Sequence, residues 1–354
     1  MRKKILVAMS GGVDSSVAAL LLKSAGHDVA GVTMCLQDVI RQNNEASCGA
    51  NRAVDDANHV CQHLGIRHFV FDFSQHLQKH VIDNFVAEYR LGRTPNPCVQ
   101  CNKHVKFGLL FDKARELGYD MLATGHYAAI SEHQGCTVLK RAKDLRKDQS
   151  YFLYAVMSDV LKFIVFPLAD YTKDEIRTIA RDSALPVADK PDSQDICFIP
   201  DGNYREFLTQ HIQDIQTGDI VDQTGNKRGT HQGIPFYTIG QRGGLGIAAP
   251  DPLYVIEIDA KNNRLIVGDK KDVRSRRLLA NNLTMHVKSP PDRAQAKIRY
   301  AHKPEACSFS ISGDSLNVLF DDPQESISPG QSVVLYDENI VICGGIINEV
   351  LHDD

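Results

Sequence analysis

The sequence predicts an α/β protein: a doubly wound parallel sheet, followed by a small β-rich central unit and a C-terminal β-barrel. Two observations carry this. Over residues 1–125, short β-rich runs alternate with longer amphipathic stretches, as βαβ units feeding a parallel sheet do. Beyond about Thr217 helical periodicity fades, and Gly-rich turns separate short alternating runs, as in small all-β units. A chain of 354 residues has room for two to three domains of about 150 residues each. We expect them over 1–205, 206–278 and 279–354.

Taken in order, residues 5–9, 29–34, 68–73 and 121–124 read as strands. Between them, 15–24, 51–64, 76–89 and 106–117 carry apolar residues at helical spacing. A further helix is expected over 171–185, followed by the polar loop DKPDSQDICFIP at 189–200. Residues 253–259 and 264–267, joined by AKNN, read as a hairpin. Runs at 283–288, 295–300, 307–311, 316–320, 332–336 and 340–347 are dense enough for a small barrel.

Composition excludes several classes. Hydrophobic residues at 43% and charged residues at 24% are an ordinary globular mixture, not collagen or a disordered tail. Nine scattered cysteines form no even framework and read as cytosolic thiols. The apolar run at 5–9 is too short for a signal peptide or a membrane span, so we expect a cytoplasmic protein with no membrane partner. A net charge of −4 argues, taken whole, against a nucleic-acid partner. That total is a sum of opposites. Residues 261–303 hold 12 basic and 3 acidic residues, whereas 304–354 hold 10 acidic and none basic. A band that basic should bind RNA phosphate in a way that weakens steeply with salt.

SGGVDSS, residues 10–16, lies between the first strand and the first helix. Gly11 and Gly12 let the backbone turn sharply, and the helix N-terminus favours a phosphate. Ser10, Ser15 and Ser16 offer hydroxyls, and Asp14 could hold Mg²⁺ against phosphates. The loop lacks the Lys of a Walker A motif and the G-x-G-x-x-G of a dinucleotide fingerprint. SGGxDS after a first strand instead resembles the PP-loop of the ATP pyrophosphatase superfamily. Its members cleave ATP between the α and β phosphates and activate a carbonyl oxygen as an adenylate.

TPNPCVQCNK, residues 94–103, reads as a rigid loop bearing Cys98 and Cys101, with a helix starting near Asn102. A thiol at that start, beside Lys103 and Lys106, should have a lowered pKa. By itself this C-x-x-C fits half a zinc site, a redox pair or incidental thiols. Cys197, in DSQDICFIP, lies in a polar loop and alone reads as structural. The other cysteines read as small core residues. Lys140, Arg141, Lys143, Arg146 and Lys147 form a short basic run.

SGGVDSS, TPNPCVQCNKHVKFG, ATGHYA, KDQSYFL, DSQDICFIP, HQGIPFYTIGQRGGLG and a late Arg-Tyr stand in one order in one chain. Over essentially its whole length, 3–349, the sequence resembles the tRNA-specific 2-thiouridylases, the MnmA/TrmU family. The resemblance implies an ATP-dependent sulfurtransferase that makes 2-thiouridine at the tRNA wobble position. ATP adenylates uracil O2, and a protein persulfide then replaces the activated oxygen. Carried over by motif, Cys101 is the nucleophile and Cys197 carries the persulfide, the pair ending as a disulfide or releasing hydrogen sulfide. The implied ATP contacts are Ala8, Met9, Ser10, Gly11, Gly12, Val13, Asp14, Ser15, Met34 and Gly125. Asn96, Pro97 and Cys98 would meet the target base. His126, Lys147, Asp148, Gln149, Arg299, Tyr300 and Gln331 would meet tRNA.

Cys98 stands where some relatives have a base-handling Asp, so that carboxylate is not carried over. The implied cofactor is ATP with Mg²⁺. The implied partners are tRNA and an upstream persulfide donor, either a cysteine desulfurase or a sulfur relay protein, acting on a monomer. Cys98, Cys101 and Cys197 also suit three irons of a [4Fe–4S] cluster, an alternative that the residues leave open.

Overall fold

The computed structural model describes residues 1–35, 52–192, 196–199 and 202–351. The expected helix residue 51 and parts of the 189–200 loop, 193–195 and 200, lie outside them. Seven strands come first: β1 (Lys4–Ala8), β2 (Asp28–Cys35), β3 (Arg67–Asp72), β4 (Met121–Thr124), β5 (Ala129–His133), β6 (Cys136–Lys140) and β7 (Ile164–Val165). Five of them form a parallel sheet in the order β3-β2-β1-β4-β7. After Lys4, β1 is apolar to its end because both of its faces are covered. Ile5 and Val7 pack with Val17, Val60 and Ile176, while Leu6 packs with Leu110, Tyr151 and Tyr336 on the other face. The chain reverses its direction of winding between β1 and β4, which opens a crevice at their carboxyl ends.

Two helical stretches differ from expectation. Residues 76–89 form Ser74–Leu77, a π-helical turn Gln78–Ile82, and Asp83–Arg90. The helix expected at 106–117 begins much earlier, as Pro97–Gln100, continues as a π-helix over Cys101–Leu109, and ends as Leu110–Glu116. Asn96 caps it by accepting the Val99 N–H, and Pro97 needs no hydrogen bond in the first turn. Pro95 stays in the loop, but Pro97, read as part of it, is a helix start. The helix expected at 171–185 runs over Lys173–Asp182, its start fixed by a Thr172–Glu175 capping box.

The central unit is a mixed sheet of β8 (Gly218–Asp222), β9 (Lys227–His231), β10 (Tyr254–Asp259) and β11 (Arg264–Gly268), ordered β10-β11-β8-β9. The expected hairpin is β10–β11. The C-terminal barrel comprises β12 (Arg274–Met285), β13 (Arg293–Lys297), β14 (Glu305–Ser312), β15 (Ser315–Glu325), β16 (Ser332–Asp337) and β17 (Ile340–Leu351), closed by β12 pairing with β17. Its interior holds Leu278, Ala296, Cys307, Val318, Phe320, Leu335 and Ile342. β12 begins well before the expected run at 283 because Arg274, Arg276 and Arg277 are exposed there and break the apolar signal. The β5–β6 hairpin, unanticipated in the sequence, extends the barrel sheet through Ile340 and Lys140. No helix among the described residues is long and apolar enough to cross a membrane.

Candidate active site

β1 delivers the SGGVDSS loop to the crevice. The Met9 N–H bonds the Val32 carbonyl at 2.7 Å, which holds the loop against β2. Gly11 takes φ +68°, and a Cβ there would collide with the Ala53 carbonyl. Ser15 Oγ accepts the Ser10 N–H at 3.1 Å and donates to the Gly12 carbonyl at 3.2 Å. Ser16 Oγ donates to the same carbonyl at 2.8 Å. Two of the three hydroxyls therefore set the shape of the loop. Gly12 caps the Val13–Ser24 helix without a side chain, so no side chain competes with an anion for the first-turn N–H groups. Met34 lies one residue from the end of β2 and is partly buried against neighbouring core residues.

Gly125, directly after β4, closes the crevice. A Cβ at this position would lie 2.7 Å from the Ser15 nitrogen and 2.8 Å from the Asp14 carbonyl carbon. Gly125→Ala should therefore push the loop aside, weakening binding of a non-cleavable ATP analogue by about tenfold. Titration calorimetry measures this, and unchanged affinity would show that the loop has room to move.

A charged cluster that local sequence does not announce surrounds Asp14. Lys173 Nζ donates to both Asp14 oxygens, at 2.7 and 2.8 Å, and Tyr127 Oη donates to Oδ1 at 2.8 Å. The same ammonium reaches Asp192 Oδ1 at 2.9 Å. Asp192 also takes Lys147 at 3.0 Å and Arg177 at 2.7 Å. Burial alone would raise the Asp192 pKa, but the bonds and charges of Lys173 and Lys147 outweigh it and hold the carboxyl at about 2. On the other side of the loop, Lys190 Nζ donates to the Gly11 carbonyl at 2.9 Å and to Asp56 at 2.6 Å.

The thiols lie on the Pro97–Leu109 helix and beside it. The barrel holds this helix start in place. The Thr94 N–H bonds the Pro329 carbonyl at 2.8 Å, and Gln331 Nε2 donates to the Thr94 carbonyl at 3.1 Å. Cys98 and Cys197 are exposed and Cys101 is buried, none of them in a disulfide. Burial pushes Cys101 up to about 11, with Lys106 pulling the other way and Cys197 and Cys98 adding to the rise. Although Cys98 and Cys197 reach solvent, the atoms crowded around them also raise both thiols against the pull of Lys106. The lowered pKa expected for Cys101 is thus reversed at rest. Cys101 sits a turn inside the helix, not at its open end, and desolvation wins. Among the described residues, no set of three or more His, Cys, Asp or Glu side chains is arranged to hold a metal ion.

The residues expected to meet tRNA fall into two kinds. Tyr300 is exposed, with its ring 4.5 Å from that of Phe152. Lys147 is partly exposed but paired with Asp192. The others are held by protein partners. Asp148 is buried and accepts from Ala142, Ser150 N–H and Ser150 Oγ. Gln149 accepts the Tyr127 N–H at 3.0 Å. The Arg299 guanidinium donates to the Ser326 carbonyl, to Ser328 Oγ and to the Ile239 carbonyl. His126 is held between Thr124 and Lys106. The basic band is also partly compensated in place: Arg274 and Lys270 meet Glu325, and Arg293 meets Asp321.

Sequence reasoning missed Lys173, Lys190, Asp192 and Tyr127 as parts of the site. Tyr127, Lys190 and Asp192 stand in or next to motifs already singled out, whereas Lys173, in the expected helix over 171–185, carries no such signal.

An α/β fold with a glycine-turned anion loop at its switch point, and thiols on an adjoining helix, defines a PP-loop protein. Family profiles match along the chain: a tRNA methyl transferase HUP domain over 3–201, a tRNA methyl transferase PRC-barrel domain over 205–269, and an aminomethyltransferase β-barrel domain over 275–347. The tRNA-specific 2-thiouridylase MnmA 1 of Syntrophus aciditrophicus is 51% identical, covering 99% of this chain and 94% of the relative. The MnmA proteins of Clostridioides difficile and Pelobacter propionicus are 45% and 46% identical, each over 99% of both chains. The chain belongs to the tRNA-specific 2-thiouridylase family. Among solved structures, a 4-thiouridine synthetase–RNA complex aligns at a TM-score of 0.35 and 18% identity, over 59% of this chain and 50% of that one. That likeness carries no argument.

Proposed function

We propose that the protein catalyses ATP-dependent 2-thiolation of the wobble uridine of tRNA. Family membership over essentially the whole chain carries the reading. The site supports it by joining the PP-loop to the thiols: Gly125 abuts the loop, and His126, its neighbour, meets Lys106 on the thiol-bearing helix.

ATP lies with its phosphates on the Ser10–Ser15 loop and its base towards Met34. Asp14 is the carboxylate that would hold a magnesium ion bound with ATP, which would offset the charge of the leaving pyrophosphate; Lys173, which pairs with Asp14, would then turn to a phosphate. Uracil O2 attacks the α-phosphorus, pyrophosphate leaves, and N3 gives up its proton. Asn96, Pro97 and Cys98 present the base by shape. The terminal sulfur of the Cys197 persulfide adds to C2, and AMP leaves with the C–O electron pair. Cys101 thiolate then attacks Cys197 Sγ. The S–S bond to the new sulfur breaks, its electron pair stays on that sulfur, and N3 regains a proton. A Cys101–Cys197 disulfide remains for a thiol reductant to reopen.

No step of this reading runs through an iron–sulfur cluster; Cys98, Cys101 and Cys197 are the thiols that would hold one. In this reading the segments 206–278 and 279–354 grip the tRNA, the enzyme works as a cytoplasmic monomer, and a cysteine desulfurase or relay protein loads Cys197.

The test is incubation with unmodified tRNA, ATP, Mg²⁺ and a persulfide donor, followed by nucleoside mass analysis. A uridine with sulfur in place of oxygen is expected. AMP formation without that product would reject the reading.

A further inference from the structure

The thiolation reading needs two sulfur anions, yet burial disfavours an anion at every thiol of the site. The winding of the thiol-bearing helix supplies a remedy. Over Cys101–Leu109 it is π-helical, with each N–H bonded to the carbonyl about five residues back. Lys106, five residues beyond Cys101, therefore comes round to the Cys101 side. In an α-helix of about 3.6 residues per turn, a five-residue step would carry it about 140° away.

One contact fixes where the Lys106 ammonium points. It lies 3.5 Å from His126 Nε2, in the loop that closes the PP-loop crevice. Thr124 Oγ1 is 2.7 Å from His126 Nδ1 and also takes the His126 N–H at 3.5 Å. This pattern assigns the proton to Nδ1 and leaves the Nε2 lone pair for the ammonium. Burial, followed by the Lys106 charge, keeps His126 well below its ordinary pKa, so it stays neutral and adds no second cation. The groups acting electrostatically on Cys101 are Lys106, Cys197 and Cys98. Those acting on Cys98 are Lys106 and Cys197. On Cys197 the Lys106 charge acts together with backbone N–H groups. Lys103, also beside the thiols in sequence, is exposed and is not among them.

We propose that Lys106 is the positioning cation of the sulfur chemistry, brought round by the π-helical winding to balance the Cys101 thiolate and the Cys197 persulfide anion in turn. The inference rests on the thiolation reading for its purpose, but its physical content can be measured without tRNA. Lys106 changes no bond. It lowers the free energy of the anion that attacks, and it does so at both thiols from one place.

The experiment is alkylation of the full-length protein by iodoacetamide across pH 7 to 11, with modification at Cys101 and Cys197 followed by peptide mass analysis. In Lys106→Gln, both midpoints should rise by about one pH unit, and Lys106→Arg should restore them. The thiolation rate near neutral pH should fall about tenfold in Lys106→Gln and recover as the pH is raised. Should that variant not fold, Lys106→Met keeps the packed stem and gives the same readout. Unchanged midpoints in a folded variant would overturn the proposal. Shifted midpoints in an enzyme that thiolates no tRNA would leave Lys106 assigned and reject the thiolation reading instead.

Discussion

Cys101→Ser and Cys197→Ser each abolish 2-thiouridine formation, with an expected loss of about 10³-fold or more, but they stop the reaction at different points. Without Cys197 there is no sulfur to deliver, and adenylated tRNA accumulates or hydrolyses. Without Cys101 the sulfur still reaches C2, but the S–S bond to Cys197 has no attacking thiolate. A protein–tRNA adduct released by dithiothreitol should then build up, visible as a shifted band on a non-reducing gel. Cys98→Ser should keep at least a tenth of the activity, since that position presents the base by shape. ATP–pyrophosphate exchange should survive in all three, because adenylation precedes every step that the thiols carry out. Full activity in both Cys101→Ser and Cys197→Ser would require another sulfur carrier.

Lys173→Met carries the second large effect, on both stability and ATP. The side chain is 8% exposed and bridges Asp14 and Asp192. Breaking a fully buried pair costs about 3–5 kcal/mol. The two carboxylates keep 33% and 27% of their side chains exposed, so about 2 kcal/mol is the fitting expectation. That corresponds to a Tm lowered by about 5 °C. ATP affinity should fall at least tenfold with the loss of a charge-assisted contact.

The acid limb gives the sign. The Asp192 carboxyl is held at about 2, below its unfolded value near 4. Its contribution is complete above pH 4 and is lost as the pH falls towards 2. In Lys173→Met that acid-side decline should flatten. Tm measured from pH 2 to 6 tests it, and parallel curves for the two proteins would remove Lys173 from the account.

The parts legible in the sequence are those in which neighbours in the chain act together. The apolar run ending in Ser-Gly-Gly announces a buried strand, a sharp turn and a helix start, all within a few residues. Barrel strand β15 shows the alternation that a one-sided interior demands, and β16 and β17 show as nearly unbroken apolar runs. Long-range electrostatics were illegible. Asp14 reads from its loop as an unpaired candidate metal ligand; folding pairs it with Lys173 and Tyr127, and nothing local to SGGVDSS encodes that meeting. Arg299 and Gln331 read as solvent-facing until the chain closes and their donors find the Ser326, Ile239 and Thr94 carbonyls. The β5–β6 hairpin escaped notice because its turn is Gln134-Gly135, both at positive φ, where Asn-Gly would have been the usual signal. Cys101 shows the limit of a motif rule. Lysines nearby suggest a thiolate, but the depth of burial depends on where the helix begins.

The pairing of β6 with β17 makes the three segments, distinct in composition, inseparable in practice. β6 comes from the first part of the chain and β17 is its last strand, yet they share one hydrogen-bonded sheet. Gly344 also leaves no space for a side chain against the Tyr154 ring. A chain cut after residue 205 would expose an edge of unsatisfied N–H and C=O groups, together with the apolar patch around Tyr151 and Tyr154, an open invitation to aggregate. During synthesis the N-terminal sheet meets the same condition until β17 has been made, and the fold is expected to close only when that strand pairs with the first hairpin.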